Sequence, residues 1–143
     1  PQNVIKEANN YLQLLDKQGD LIQKQMLSEL IAEGEINRLI KKNITVYKQR
    51  RDYLSKCLTI HFKDIATWKI PDGGLAIWLE FKTSISLFQL AEKAKANNLF
   101  LPKTILYQNK SLCAMRLGFG HLNEDEIKTV VKILKQSFDA VKV

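Results

Sequence analysis

The sequence predicts an α+β fold: N-terminal helices, then a small, mostly antiparallel sheet, then a closing C-terminal helix. Three observations carry this expectation. Apolar side chains recur at helical spacing through residues 2–62. The stretch ATWKIPDGGLAIWLEF, residues 66–81, changes to two-residue alternation around a Pro-Asp-Gly-Gly turn. After Asn123 the helical spacing returns behind a strong start signal.

The first helix is expected over residues 2–18, on Val4, Ile5, Ala8, Tyr11, Leu12 and Leu15, with Gly19 stopping it. Asp20 can cap a second helix carrying Leu21, Ile22, Met26, Leu27, Leu30 and Ile31, which ends at Gly34. A third runs from Glu35 to Phe62. Its apolar stripe is Ile36, Leu39, Ile40, Ile44, Tyr47, Leu54, Leu58 and Phe62, and most of its basic residues lie opposite. This much helix is long for a compact domain, so part of it is expected to pack against something outside the chain.

Two short strands follow around the turn. On the second, Leu75, Ile77, Leu79 and Phe81 share one face, and Ala76, Trp78 and Glu80 share the other. Ser84 or Ser86 can cap a helix through Leu87, Leu90, Ala91 and Ala94 that ends near Asn97. LFLP, residues 99–102, reads as a brief extended piece, and SLCAMRLGF, residues 111–119, as the next strand. Asn123 with Glu126 then forms a capping box, with Leu122 and Ile127 spaced as a hydrophobic staple. Glu124, Asp125 and Glu126 complement the dipole of the first turn.

The 143 residues with 45% hydrophobic content are enough for one domain with a proper core. No apolar run reaches the roughly 20 residues of a membrane span. The opening PQNVIKEANN is polar, unlike a secretory signal, and its start at Pro1 leads us to expect a piece of a longer protein. Two cysteines, Cys57 and Cys113, are too few for a disulfide scaffold or a zinc site and fit reduced core thiols of a cytoplasmic protein. The net charge of +7 raises nucleic acid as a partner, with Lys48, Arg50 and Arg51 as its footprint. Trp78, alone on its strand face, is a poor stacking platform.

One charge breaks the pattern. Cys113, Met115, Leu117 and Phe119 form a large apolar face, and Arg116 stands on the opposite one between Ala114 and Gly118. Small neighbours leave space above the sheet for an anion, and a guanidinium matches a carboxylate with two parallel hydrogen bonds. The residues alone leave a second reading open, a cross-strand ion pair between Arg116 and Glu80.

Three motifs, EGEINRLIKKNITVYKQRRDYLSKCL, IPDGGLAIWLEF and MRLGFGHLNEDEI, stand in the order and spacing of a known family. Over residues 20–143 the chain resembles the C-terminal small domain of fold-type I pyridoxal-phosphate-dependent aminotransferases. It is similar in particular to MocR-type proteins, in which an aminotransferase-like body follows a GntR-type winged helix. The resemblance implies that Arg116 binds the α-carboxylate of an amino acid or 2-oxo acid, and that Gly73 and Gly74 line the site. A tight turn needing positive φ is enough to explain both glycines. It further implies pyridoxal phosphate in a full-length homodimer, held by a missing large domain, and DNA contacts only through a missing N-terminal domain. Residues 1–19 would then be the helix leading in from the large domain. No Ser-x-x-Lys context offers a Schiff-base lysine, so the fragment is expected to bind no cofactor and to be inactive alone. Pro102-Lys103 departs from the family's usual Pro-Gly, and His121 reads as a surface loop residue.

Overall fold

The computed structural model of the chain describes residues 2–14 and 20–141. The expected end of the first helix, residues 15–18 with Gly19, lies outside the described residues. The chain divides into two compact units, Pro1–Asn43 and Ile44–Val143.

The first unit holds α1 (Gln2–Leu14), α2 (Leu21–Ala32) and the start of α3 (Glu35–Phe62). Asp20 caps α2 as expected: the N–H groups of Ile22 and Gln23 donate to its carboxylate at 2.9 and 3.3 Å. Gly34, at φ 79°, supplies the left-handed residue that ends α2. Neither α1 nor α2 buries a residue.

The second unit holds the core. Its sheet consists of β1 (Ala66–Trp68), β2 (Ala76–Phe81), β3 (Leu106–Gln108) and β4 (Cys113–Gly118), in the order β1-β2-β4-β3 with antiparallel pairing throughout. The inward face carries Ile77, Leu79, Phe81, Met115 and Leu117. Against it pack Leu54, Leu58 and Phe62 of α3, Leu90 and Ala94 of α4 (Leu87–Ala96), and Ile127, Val131, Leu134 and Phe138 of α5 (Glu124–Val141). Phe81 stacks on Phe138 with centroids 5.4 Å apart, and Phe62 meets both rings edge-on.

The closing helix starts as the sequence predicts. Glu126 N–H donates to the Asn123 side chain at 2.9 Å, and Asn123 N–H donates back to the Glu126 carboxylate at 2.7 Å. One detail differs from expectation. Residues 99–102 pair with no strand; a short 3-10 turn, Lys103–Ile105, follows, and then β3, which the sequence does not announce. The α3 stripe is buried only at its end: Leu39, Ile40 and Ile44 are exposed.

Candidate functional site

β4 is an inner strand, hydrogen-bonded to β2 on one side and β3 on the other, so its side chains have fixed directions. The pairing sets Arg116 directly opposite Trp78, Ala114 opposite both Glu80 and Tyr107, and Gly118 opposite Ala76. Met115 and Leu117 face the core and are buried; Arg116 lies exposed on the other face, as alternation requires. Among the described residues its guanidinium makes no hydrogen bond and no ion pair. Glu80 stands two positions further along its strand and forms no ion pair with it. The cross-strand pair that the sequence left open is not formed.

The space beside Arg116 is not the same on its two sides. Ala114, expected to leave room, has no exposed surface at all. The rings of Trp78 and Tyr107 lie 4.7 Å apart although β4 runs between their strands. Two strand spacings are about 9.6 Å, so both rings lean inward over β4 and roof Ala114. Trp78 is therefore not alone on its face. On the other side the nearest neighbour of a Cβ built on Gly118 would be the Leu75 carbonyl oxygen, at 3.9 Å. A cavity of about 610 Å³ opens there, lined by Arg116, Gly118 and His121 and by apolar residues of the 99–105 segment. His121 is exposed, as the sequence implied, and faces the same cavity.

Gly73 and Gly74 line a different cavity of about 550 Å³, with Tyr47, Lys48 and Arg51. Leu75 borders both cavities. Only Gly74 has a positive φ, 84°; the expectation that both glycines serve a left-handed turn holds for one of them. Arg51 pins this turn to α3 by donating to the Pro71 carbonyl at 3.0 Å, while pairing with Asp52. Arg50 donates to the Gly120 carbonyl. Both arginines are half-buried and engaged inside the unit, and Lys48 is the exposed member of the three-residue cluster.

Cys57 and Cys113 are free and buried. Burial pushes the Cys57 thiol above its ordinary value near 9.0, against the opposing pull of a hydrogen bond with Tyr53. Neither sulfur sits in an electropositive, accessible setting that would make it a nucleophile. Among the described residues no cluster of three His, Cys, Asp or Glu side chains could hold a metal, and no helix is long and apolar enough to cross a membrane.

No protein-family model matches the chain. Known structures are more informative. The Pyrococcus horikoshii kynurenine aminotransferase superposes on it with a TM-score of 0.82 at 22% identity, covering 96% of this chain and 35% of that one. The fold is that of the aminotransferase small domain. In sequence, the chain is 29% identical to aromatic-amino-acid aminotransferase 1 of Thermococcus litoralis over 106 residues, 73% of the chain and 25% of the relative. It is 23% identical over 128 residues to the uncharacterized HTH-type transcriptional regulator YdfD of Bacillus subtilis, covering 90% of the chain and 27% of the relative. The chain thus spans about a quarter of the length of the curated relatives it matches.

The sequence shows the lining of the Arg116 cavity only in part. The period-two pattern finds Arg116 and its face. It does not find Phe100, Ile105 or His121, which lie in segments without a repeating period.

Proposed function

We propose that the chain is the C-terminal small domain of a longer aminotransferase-like protein, and that Arg116 holds the carboxylate of an amino acid or 2-oxo acid. One observation carries this reading: an exposed guanidinium without a partner among the described residues, fixed on an inner strand of an aminotransferase-type sheet and lining a cavity. A carboxylate reaching it from the Gly118 side meets a planar pair of donors held by a rigid strand. The protein's work is then to orient the ligand, and orientation alone lowers a barrier by several kcal/mol.

Pyridoxal phosphate requires an amine for its aldehyde, an acid near its ring nitrogen and donors for its phosphate. The described lining of the Arg116 cavity has no lysine and no carboxylate. These residues do not fit the cofactor, and we assign its binding, like the principal dimer contacts, to chain beyond this segment. Residues 1–19 would lead in from there.

In the first reading the full-length protein transfers an amino group between an amino acid and a 2-oxo acid. Its similarity to an aminotransferase over 73% of the chain supports this. In the second, the same site senses an amino acid in a transcriptional regulator, and DNA is bound by a separate N-terminal domain. Similarity to a helix-turn-helix-type regulator over 90% of the chain favours it. Amino-group transfer by the purified full-length protein selects the first; amino-acid-dependent DNA binding without transfer selects the second.

Arg116→Lys tests the feature common to both. Replacing the fork by a point charge is expected to weaken amino-acid binding by about ten- to a hundredfold while leaving cofactor uptake unchanged. Equal loss of amino-acid binding and cofactor uptake contradicts the role.

A further inference from the structure

The walls of the Arg116 cavity bear on what the rest of the ligand is. The Trp78–Tyr107 roof covers the Ala114 side, and the cavity that Arg116 lines opens on the Gly118 side, so a carboxylate on Arg116 can carry its remaining atoms into that cavity. There it meets Leu75, Leu99, Phe100, Pro102, Ile105 and Leu122. Phe100 is 73% exposed and Leu75 47%, so two apolar side chains on the rim are left uncovered by the chain's own packing. Arg116 is the only lysine or arginine among the described lining residues.

We propose that this cavity takes the apolar side chain of a monocarboxylic amino acid or 2-oxo acid and rejects dicarboxylates. The proposal rests on the reading of Arg116 as the carboxylate site and adds the substrate class. A second carboxylate would be desolvated against leucine, isoleucine, proline and phenylalanine, with no lysine or second arginine among the described lining residues and only the exposed His121 imidazole to meet it. An aliphatic side chain of similar length covers the same surface favourably. Uncovered apolar rims beside a single fixed charge are the arrangement expected of a pocket in which one polar group orients and the walls select.

Binding of L-leucine and L-glutamate, similar in length and different in charge, is measured by calorimetry on the full-length protein and on two variants. Leucine is expected to bind about tenfold or more tightly than glutamate. Phe100→Arg, a change at an exposed ring, is expected to shift the ratio toward glutamate by about tenfold. Glutamate binding as tightly as leucine, no binding of leucine, or a ratio unmoved by Phe100→Arg overturns the proposed class. Arg116→Lys separates the two levels of the argument. If it weakens both ligands while glutamate equals leucine, the carboxylate site stands and the apolar class falls. If it changes neither, the carboxylate reading itself falls, and the class with it.

Discussion

At the scale of single residues, adjacent positions of the same type do different work. Gly74 sits at φ 84°, where a Cβ is strained whatever space surrounds it, whereas Gly73 has neither a positive φ nor any atom within 4 Å of a built Cβ. Gly74→Ala should therefore cost roughly 1–2 kcal/mol, while Gly73→Ala should be neutral or stabilise by up to about 1 kcal/mol through the unfolded chain. Denaturant midpoints of the two variants check this; equal losses would mean that the turn constrains both. A folded Gly73→Ala variant with weakened amino-acid binding would in turn give Gly73 the site-lining role that its sequence context implies. Cys57 offers a pH test. Its thiol is raised in the folded state, chiefly by burial, so the folded chain holds the proton longer than the unfolded one. The associated stability is complete below the ordinary value near 9.0 and is lost as pH climbs through the raised one. Tyr53, shifted the same way mainly by desolvation, starts from 10.0, so the loss due to the thiol begins at lower pH than that due to the phenol. Unfolding midpoints should fall as pH rises above 9.0 in the native sequence and fall less in Cys57→Ala; parallel slopes would assign the loss to other groups. Arg116 was legible from alternation alone because side-chain direction in a paired strand has a period of two. The roof over Ala114 was not, because it depends on which strand lies beyond β4, and Tyr107 gives no local sign of being there.

At the scale of elements, legibility followed the strength of the local signal. α5 announced both its start and its buried face. Asn123, Glu126 and three acidic residues in the first turn agree with the stripe of Ile127, Val131, Leu134 and Phe138. Asn123→Ala removes a side-chain acceptor and leaves the Glu126 N–H without its partner, at an expected cost of about 1 kcal/mol, up to 2. Thermal unfolding of the variant checks this, and a change below a few tenths of a kcal/mol would mean that water replaces the cap fully. β3 marks the opposite limit. Three residues, Leu106–Gln108, cannot display a period, and their place at the sheet edge is set by long-range pairing with β4. Gln108 then does something no pattern shows. Its side-chain oxygen accepts from Leu87 N–H at 2.9 Å and its amide donates to the Ile85 carbonyl at 2.6 Å, so the edge strand fastens the start of α4. The sequence offers Ser84 or Ser86 as the cap of that helix; Ser86 takes the place, accepting from Gln89 N–H at 3.2 Å, but the second fastening comes from 21 residues away.

At the scale of the whole molecule, the two units differ in what they bury. The second has a closed core in which Leu58, Phe62, Ile77, Leu79, Met115 and Leu134 have no exposed surface. The described residues of the first form none: Leu21, Ile22 and Met26 of α2 are 68, 71 and 58% exposed, and Leu39 and Ile40 of α3 remain about half open. Helices of 12 or 13 residues are marginal in water when no apolar face is covered, since most helical stability in proteins comes from packing. The apolar periodicity of this region nonetheless asks for a partner surface, which agrees with a chain spanning about a quarter of the length of its curated relatives. Native-state hydrogen exchange resolves the two situations. In this chain alone, amides of β2, β4 and α5 should exchange only through global opening, while those of α1 and α2 should exchange many-fold faster through local fraying. In the full-length protein the amides of α2 should slow markedly as Leu21, Ile22 and Met26 become covered. Protection of α2 in the isolated chain equal to that of α5 would show that its apolar side chains already have a surface to bury against, and would remove the argument that these helices are completed by chain outside this segment.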